Sequence, residues 1–259
     1  MKNIEKSNFA DRKTHDRIWE IDALRGVAVF FMVFFHLMVD LRDFYGYNIL
    51  YYNPPGSLVG RVSALMFMFI SGISCSLSSG NIKRGAKVFL IGMVVTVATF
   101  FYVPELYIRF GILHFLGSSM VLWGLIEKAA EKKKVKLAIS IICIPISIVL
   151  GVIFDQVRVK NPYLFFLGLI TPDFSTYDFY PLIPWIGVFL AGVAFGITFY
   201  KDRRKSLFRF APVNMPKPAA LFVRALMITG KKSLVIYVAH QPLMIAILFL
   251  IHRFIINRS

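Results

Sequence analysis

The sequence predicts an all-α fold: a polytopic transmembrane helical bundle of about seven spans. Three observations predict it. Hydrophobic residues make up 57% of the 259, where soluble domains hold about 45–50%. Mean hydropathy is +0.66. Several runs are close to 20 residues and nearly free of charge, which is the length a helix needs to cross a bilayer.

Taken in order, the spans are read as 24–41, 57–79, 86–103, 108–126, 136–154, 182–200 and 232–254. The first rests on the run VAVFFMVFFHLMVDL, and the second on the apolar stretch around Leu65–Ile70. The third and fourth lie either side of a short connection that contains Pro104. The fifth is bounded by lysines before it and Asp155 after it. Tyr180-Pro181 breaks the chain ahead of the sixth. The seventh carries an internal Pro242, which frees a carbonyl one turn back and tends to kink the helix. Leu221–Thr229 and Tyr163–Ile170 are apolar but too short to cross. Either suits a re-entrant or interfacial helix, so eight or more elements are possible.

The chain is read as one transmembrane domain over 1–259, with a polar tail at 1–20 and a long outer loop at 155–181. The net charge is +16, but the basic residues lie mostly in short loops between apolar runs. That pattern points to a membrane surface and away from nucleic acid. Twenty-two Lys and Arg fall on the side of the N-terminus and five on the other. The expected placement is therefore a multi-pass protein of the cell membrane with its N-terminus cytoplasmic. The polar start and the titratable groups of the first apolar run argue against a cleaved signal peptide. Cys75 and Cys143 each lie inside an apolar run, without metal spacing or a disulfide pattern, and are read as packing residues. No metal site is expected.

Ionisable groups inside spans are costly and mark functional sites. His36 and Asp40 are four residues apart, so they share one helix face. His36 can take and return a proton near neutral pH. Asp40 is the expected group to fix its tautomer and stabilise the imidazolium. Arg25 lies about 16 Å up the same helix axis from His36, near the cytoplasmic end, where it could clamp a phosphate or carboxylate. Asp22 would pair with it or cap the helix start. Arg109 is expected near the outer surface in span four, with His114 about 7 Å deeper along the helix. Both are candidate binding residues, as are His240 and Gln241 in span seven and Asp178 in the outer loop. Arg61 and His252 read as structural and interfacial. Gly72, Gly111, Gly117, Gly187, Gly192 and Gly196 read as close packing between helices.

Four stretches then resemble a known family. They are Arg17-Ile-Trp-Glu-Ile-Asp22-Ala-Leu-Arg25-Gly-Val-Ala followed by His36, Arg109-Phe-Gly-Ile-Leu-His114, Tyr180-Pro-Leu-Ile-Pro-Trp185-Ile-Gly, and Ser233-Leu-Val-Ile-Tyr237-Val-Ala-His240-Gln241-Pro242. In order, from Arg17 to Pro242, the chain resembles the heparan-alpha-glucosaminide N-acetyltransferase catalytic family and its bacterial relatives. Arg25 with ten residues before His36 also matches the acyltransferase-3 pattern, in which that histidine is the essential base. The resemblance implies transfer of an acetyl group from cytoplasmic acetyl-CoA to an acceptor outside, a sugar amine or hydroxyl, by a homodimer. Arg25, Lys83 and Arg84 would hold the CoA phosphates and His36 would be the base. His114, His240 or Gln241 would stabilise the oxyanion. The animal lysosomal members have Asn at the position of His36 and a catalytic histidine later, in the outer loop. The chain departs from them there, which favours His36 and leaves the acceptor open. The rival readings are a proton-coupled small-molecule transporter and a non-catalytic membrane scaffold.

Overall fold

The computed structural model describes residues 18–200, 206–207 and 215–254. Within them lie eight α-helices: α1 Trp19–Asp43, α2 Gly56–Leu77, α3 Asn81–Tyr102, α4 Ile112–Ala129, α5 Lys133–Gln156, α6 Leu182–Phe199, α7 Lys217–Lys231 and α8 Ser233–Phe254. A 3-10 turn at Pro162–Leu167 sits between α5 and α6. The only β pairing among the described residues is two isolated bridges. The fold is all-α, and six helices (α1, α2, α3, α5, α6 and α8) are long and apolar enough to cross a membrane.

A helix occupies each of the seven expected segments, but α4 differs from expectation. It starts at Ile112, leaving 103–111 as a connection, and it is not among the six. Polar and small residues dilute its apolar character: His114, Gly117, Ser118, Ser119, Gly124 and Glu127. They suit its position, because this helix is mostly buried within protein. The apolar stretch Leu221–Thr229 becomes the middle of α7, a helix of 15 residues. At about 1.5 Å per residue it is shorter than the bilayer core. The stretch Tyr163–Ile170 carries the 3-10 turn, which Asn161 caps by accepting from Tyr163 N at 2.9 Å.

The chain divides into two compact units. The first draws on residues up to Phe67 and from Arg204 onward, and the second is Met68–Arg203. In the first unit α1 packs along α7 and against α8. Gly26 lies under the carbonyl of Leu226, and Gly230 lies under the carbonyl of Asp22. A Cβ at either position would meet backbone, so these two glycines let the axes of α1 and α7 approach. Ser63 of α2 donates to the Ala28 carbonyl of α1 at 2.9 Å. Glu20, 3% exposed, accepts from Ser206 Oγ at 2.8 Å and Leu207 N at 2.7 Å, tying that short segment to the first turn of α1.

In the second unit α3 packs along α4, and α5 along α6. Buried Asn81 joins three elements by donating to Cys75 O, Ser78 O and Glu127 Oε2 at 2.9, 3.1 and 3.0 Å. Gly72, Gly117, Gly187, Gly192 and Gly196 all lie at close contacts with a neighbouring helix, as the sequence suggests. The loop 155–181 folds back on the connection before α4: Tyr177 N donates to Leu106 O and Tyr180 N to Phe110 O, each at 3.0 Å.

Candidate functional site

Two groups of sequence-predicted residues come together, one within each unit. The first lies between α1 and α8. His36 and Asp40 sit one turn apart on α1, and His240 and Gln241 are adjacent on α8. Asp40 is 1% exposed, and its Oδ1 accepts from Gln241 Nε2 at 2.7 Å. A buried carboxylate needs such a donor, because desolvation without one is costly. Its Oδ2 is buried without a hydrogen-bond partner, as is Gln241 Oε1.

The expected bond from Asp40 to His36 is not made. The carboxylate leans to α8, and His36 forms no hydrogen bond among the described residues. The reason is positional: residues one turn apart share a face, but the amide arriving from α8 offers Asp40 a donor. The imidazole that meets His36 is that of His240, with ring centroids 5.0 Å apart and planes at 56°. Phe35 stands edge-on to His36 at 5.7 Å. His240 Nδ1 donates to the Tyr237 carbonyl at 2.6 Å, while its Nε2 is buried without a partner. A carbonyl only accepts, so the proton of the neutral ring is on Nδ1 and a lone pair is on Nε2.

At the start of α1, Arg25 Nη1 donates to Asp22 Oδ1 at 3.2 Å. The Arg25 side chain is 22% exposed. Of the two roles expected for Asp22, pairing is the one seen. The helix already begins at Trp19, so Asp22 is not its cap. At the other end of α1 a polar aromatic cluster forms that sequence reasoning missed. Arg42 donates to Ile49 O at 2.9 Å and Tyr52 OH at 2.6 Å. Tyr51 OH donates to Asp43 Oδ2 at 3.1 Å, and Tyr45 stacks on His252 at 3.7 Å. The density of tyrosines in Tyr45–Tyr52 was the available signal.

The second group lies around the N-terminus of α4. Arg109 is not on that helix but in the connection before it, so the helical spacing to His114 does not apply. Its guanidinium lies 5.0 Å from the ring centre of Tyr107 and 5.2 Å from that of Phe174, and its Nε is buried without a partner. His114 is 2% exposed. Its Nδ1 accepts from Gly111 N at 3.2 Å, and its Nε2 lies 3.2 Å from Thr96 Oγ1. Thr96 Oγ1 itself donates to Ile108 O at 2.7 Å, so it accepts from Nε2–H. Both ring nitrogens are engaged in holding the α4 start, and a ligand would have to displace one of these bonds. Asp178 Oδ2 accepts from Ile112 N at 3.1 Å, where a carboxylate also meets the positive end of the helix dipole. Burial pushes its carboxyl up to about 6, against the opposing effect of the Ile112 N–H.

Among the described residues, no three His, Cys, Asp or Glu side chains cluster as metal ligands, and both cysteines are free thiols. An apolar groove of about 480 Å³, lined by Phe89, Leu90, Val121 and Leu122 among others, contains none of the candidate residues. A family model described as "Heparan-alpha-glucosaminide N-acetyltransferase, catalytic" matches residues 17–242. No curated protein and no solved structure matches the chain.

Proposed function

Because the chain belongs to the heparan-alpha-glucosaminide N-acetyltransferase catalytic family, we propose that it moves an acetyl group from acetyl-CoA to an extracytoplasmic sugar amine or hydroxyl, with His36 as general base. The observation that carries this reading is the polar cluster of buried Asp40 with half-buried His36, His240 and Gln241 between two membrane-length helices. Such groups are expensive in that setting and are kept for chemistry.

In the proposed reaction the acceptor nitrogen or oxygen attacks the thioester carbon while His36 takes its proton. The new C–N or C–O bond forms, the C–S bond breaks, and the imidazolium returns the proton to the leaving thiolate. General base action of this kind contributes about 10²–10⁴-fold. Gln241 is proposed to orient Asp40, and Arg25 to hold a CoA phosphate after exchanging its contact with Asp22. Arg109, set against two aromatic rings with a buried Nε, is a proposed binding residue for an anionic group of a substrate. His114 and Asp178 are proposed to support the α4 start, since both ring nitrogens of His114 and Oδ2 of Asp178 are already engaged there. The protein is proposed to lie in the cell membrane as a homodimer with its N-terminus cytoplasmic, a reading supported by the bias of Lys and Arg between its spans.

The test is acetyl transfer by the purified protein from labelled acetyl-CoA to a panel of sugar amines and hydroxyls. The expected result is transfer that His36→Ala abolishes while the protein stays folded. Wild-type turnover in that variant would remove His36 as the base. Solute uptake into vesicles without any acyl-CoA would support the transporter instead.

A further inference from the structure

His240 lies beside His36 in the α1–α8 cluster, yet the reaction above does not use it. Its tautomer is set by its own helix: Nδ1–H is committed to the Tyr237 carbonyl at 2.6 Å. That leaves Nε2 as an acceptor, and this atom is buried with no donor. An unmet buried acceptor is costly. The other imidazole, His36, makes no hydrogen bond among the described residues, and the two ring centres are 5.0 Å apart. At that separation, ring nitrogens turned toward each other come within hydrogen-bond range. Asp40 does not hold His36: its Oδ1 accepts from Gln241 at 2.7 Å, and its Oδ2 is buried without a partner. That same bond ties the residue next to His240 to the residue one turn from His36, which keeps the two rings side by side.

We propose that His240 is a positioning residue for His36, its Nε2 accepting the ring N–H of His36 so that the opposite nitrogen of His36 faces the acceptor substrate with its lone pair free. In the transfer, the acceptor's N–H or O–H bond breaks and its proton goes to that free nitrogen. The positive charge on His36 is then met by the lone pair of His240, without proton transfer to His240. The bond to sulfur breaks, and His36 returns the proton to the thiolate. His240 thus fills the place that the spacing on α1 suggests for Asp40. The inference rests on the acetyl transfer reading for its kinetic consequence, and on the geometry alone for the pairing.

Two substitutions separate positioning from structure. Gln at 240 carries an amide atom about where Nε2 lies, while Asn reaches only about as far as Nδ1 and keeps a donor for Tyr237. His240→Asn is expected to lower kcat on the order of 10–100-fold, part of the general-base contribution, with the KM for acetyl-CoA unchanged. His240→Gln is expected to recover most of that loss. Wild-type kcat in His240→Asn would overturn the proposal. So would equal losses in both variants together with equal falls in melting temperature, the mark of a merely structural contact. The second arm is nitrogen NMR of the histidine-labelled full chain in detergent. The expected result is an Nδ1–H tautomer at His240 and a His36 resonance that moves in His240→Asn. An unmoved His36 resonance would overturn the pairing. If the wild type transfers no acetyl group, the enzymatic reading fails, and the NMR arm still decides whether the pair exists.

Discussion

Gln241 Nε2 donates to Asp40 Oδ1 at 2.7 Å, joining residues 201 positions apart in the chain. Asp40 is 1% exposed, so among the described residues this amide is the hydrogen-bond donor to a carboxylate removed from water. The bond also fixes how α8 is rotated against α1, and so which side chains on the two helices meet.

Loss of that donor should be felt in stability. Gln241→Leu leaves the buried carboxylate unpaired and is expected to cost about 2 kcal/mol, the usual worth of a hydrogen bond to a charged group. Asp40→Asn keeps an amide acceptor for Gln241 and should cost less. Thermal melts in detergent check the order, and equal melting temperatures for the wild type and Gln241→Leu would count against the contact.

Close approach of α1 and α7 depends on Gly26 and Gly230. A side chain at either would run into a backbone carbonyl, of Leu226 or of Asp22. Gly26→Val and Gly230→Val are each expected to destabilise by about 1–3 kcal/mol, the range for overpacking. Backbone moves less readily than a side chain, which favours the upper end. The measurement is the melting temperature of the full chain, with Gly46→Ala as a reference: Gly46 has φ +72° and open space around it, so its cost is conformational and not steric.

His114 should behave as a structural residue. His114→Ala removes the acceptor for Gly111 N and the donor to Thr96 Oγ1, and is expected to cost about 2–3 kcal/mol from two buried bonds. Thr96→Val removes one of these bonds and should cost roughly half as much. If His114→Ala leaves the melting temperature unchanged but removes acetyl transfer, His114 belongs to the reaction instead.

Asp178 gives a pH dependence with a definite sign. Its folded-state pKa is raised from 3.8 to about 6 by burial. Between those values the folded chain holds more protons than the unfolded one, so stability falls as pH rises. The contribution is fully present below about 3.8, is lost as pH rises through about 6, and changes little above. Asp178→Asn keeps an acceptor for Ile112 N without the charge. The wild type minus the variant should therefore lose melting temperature between pH 4 and pH 7, as read in parallel melts. A difference that grows with pH would contradict the assignment.

What the sequence by itself determined are the properties that each segment carries alone. Length and hydropathy mark the spans, because hydrocarbon demands a long apolar helix whatever lies beside it. The one-turn spacing puts His36 and Asp40 on one face, and the unusual polarity of Ala239-His240-Gln241 marks α8 as more than lipid-facing. Tertiary structure decided the partners. It gave Asp40 to Gln241 and set His240 against His36, moved Arg109 off the helix that holds His114, and turned His114 and Asp178 toward the backbone of the α4 start. The physical reason is that a hydrogen bond between helices depends on their rotation and axial offset. Those are set by contacts such as Gly26 under Leu226, between residues 200 positions apart, for which local pattern holds no record.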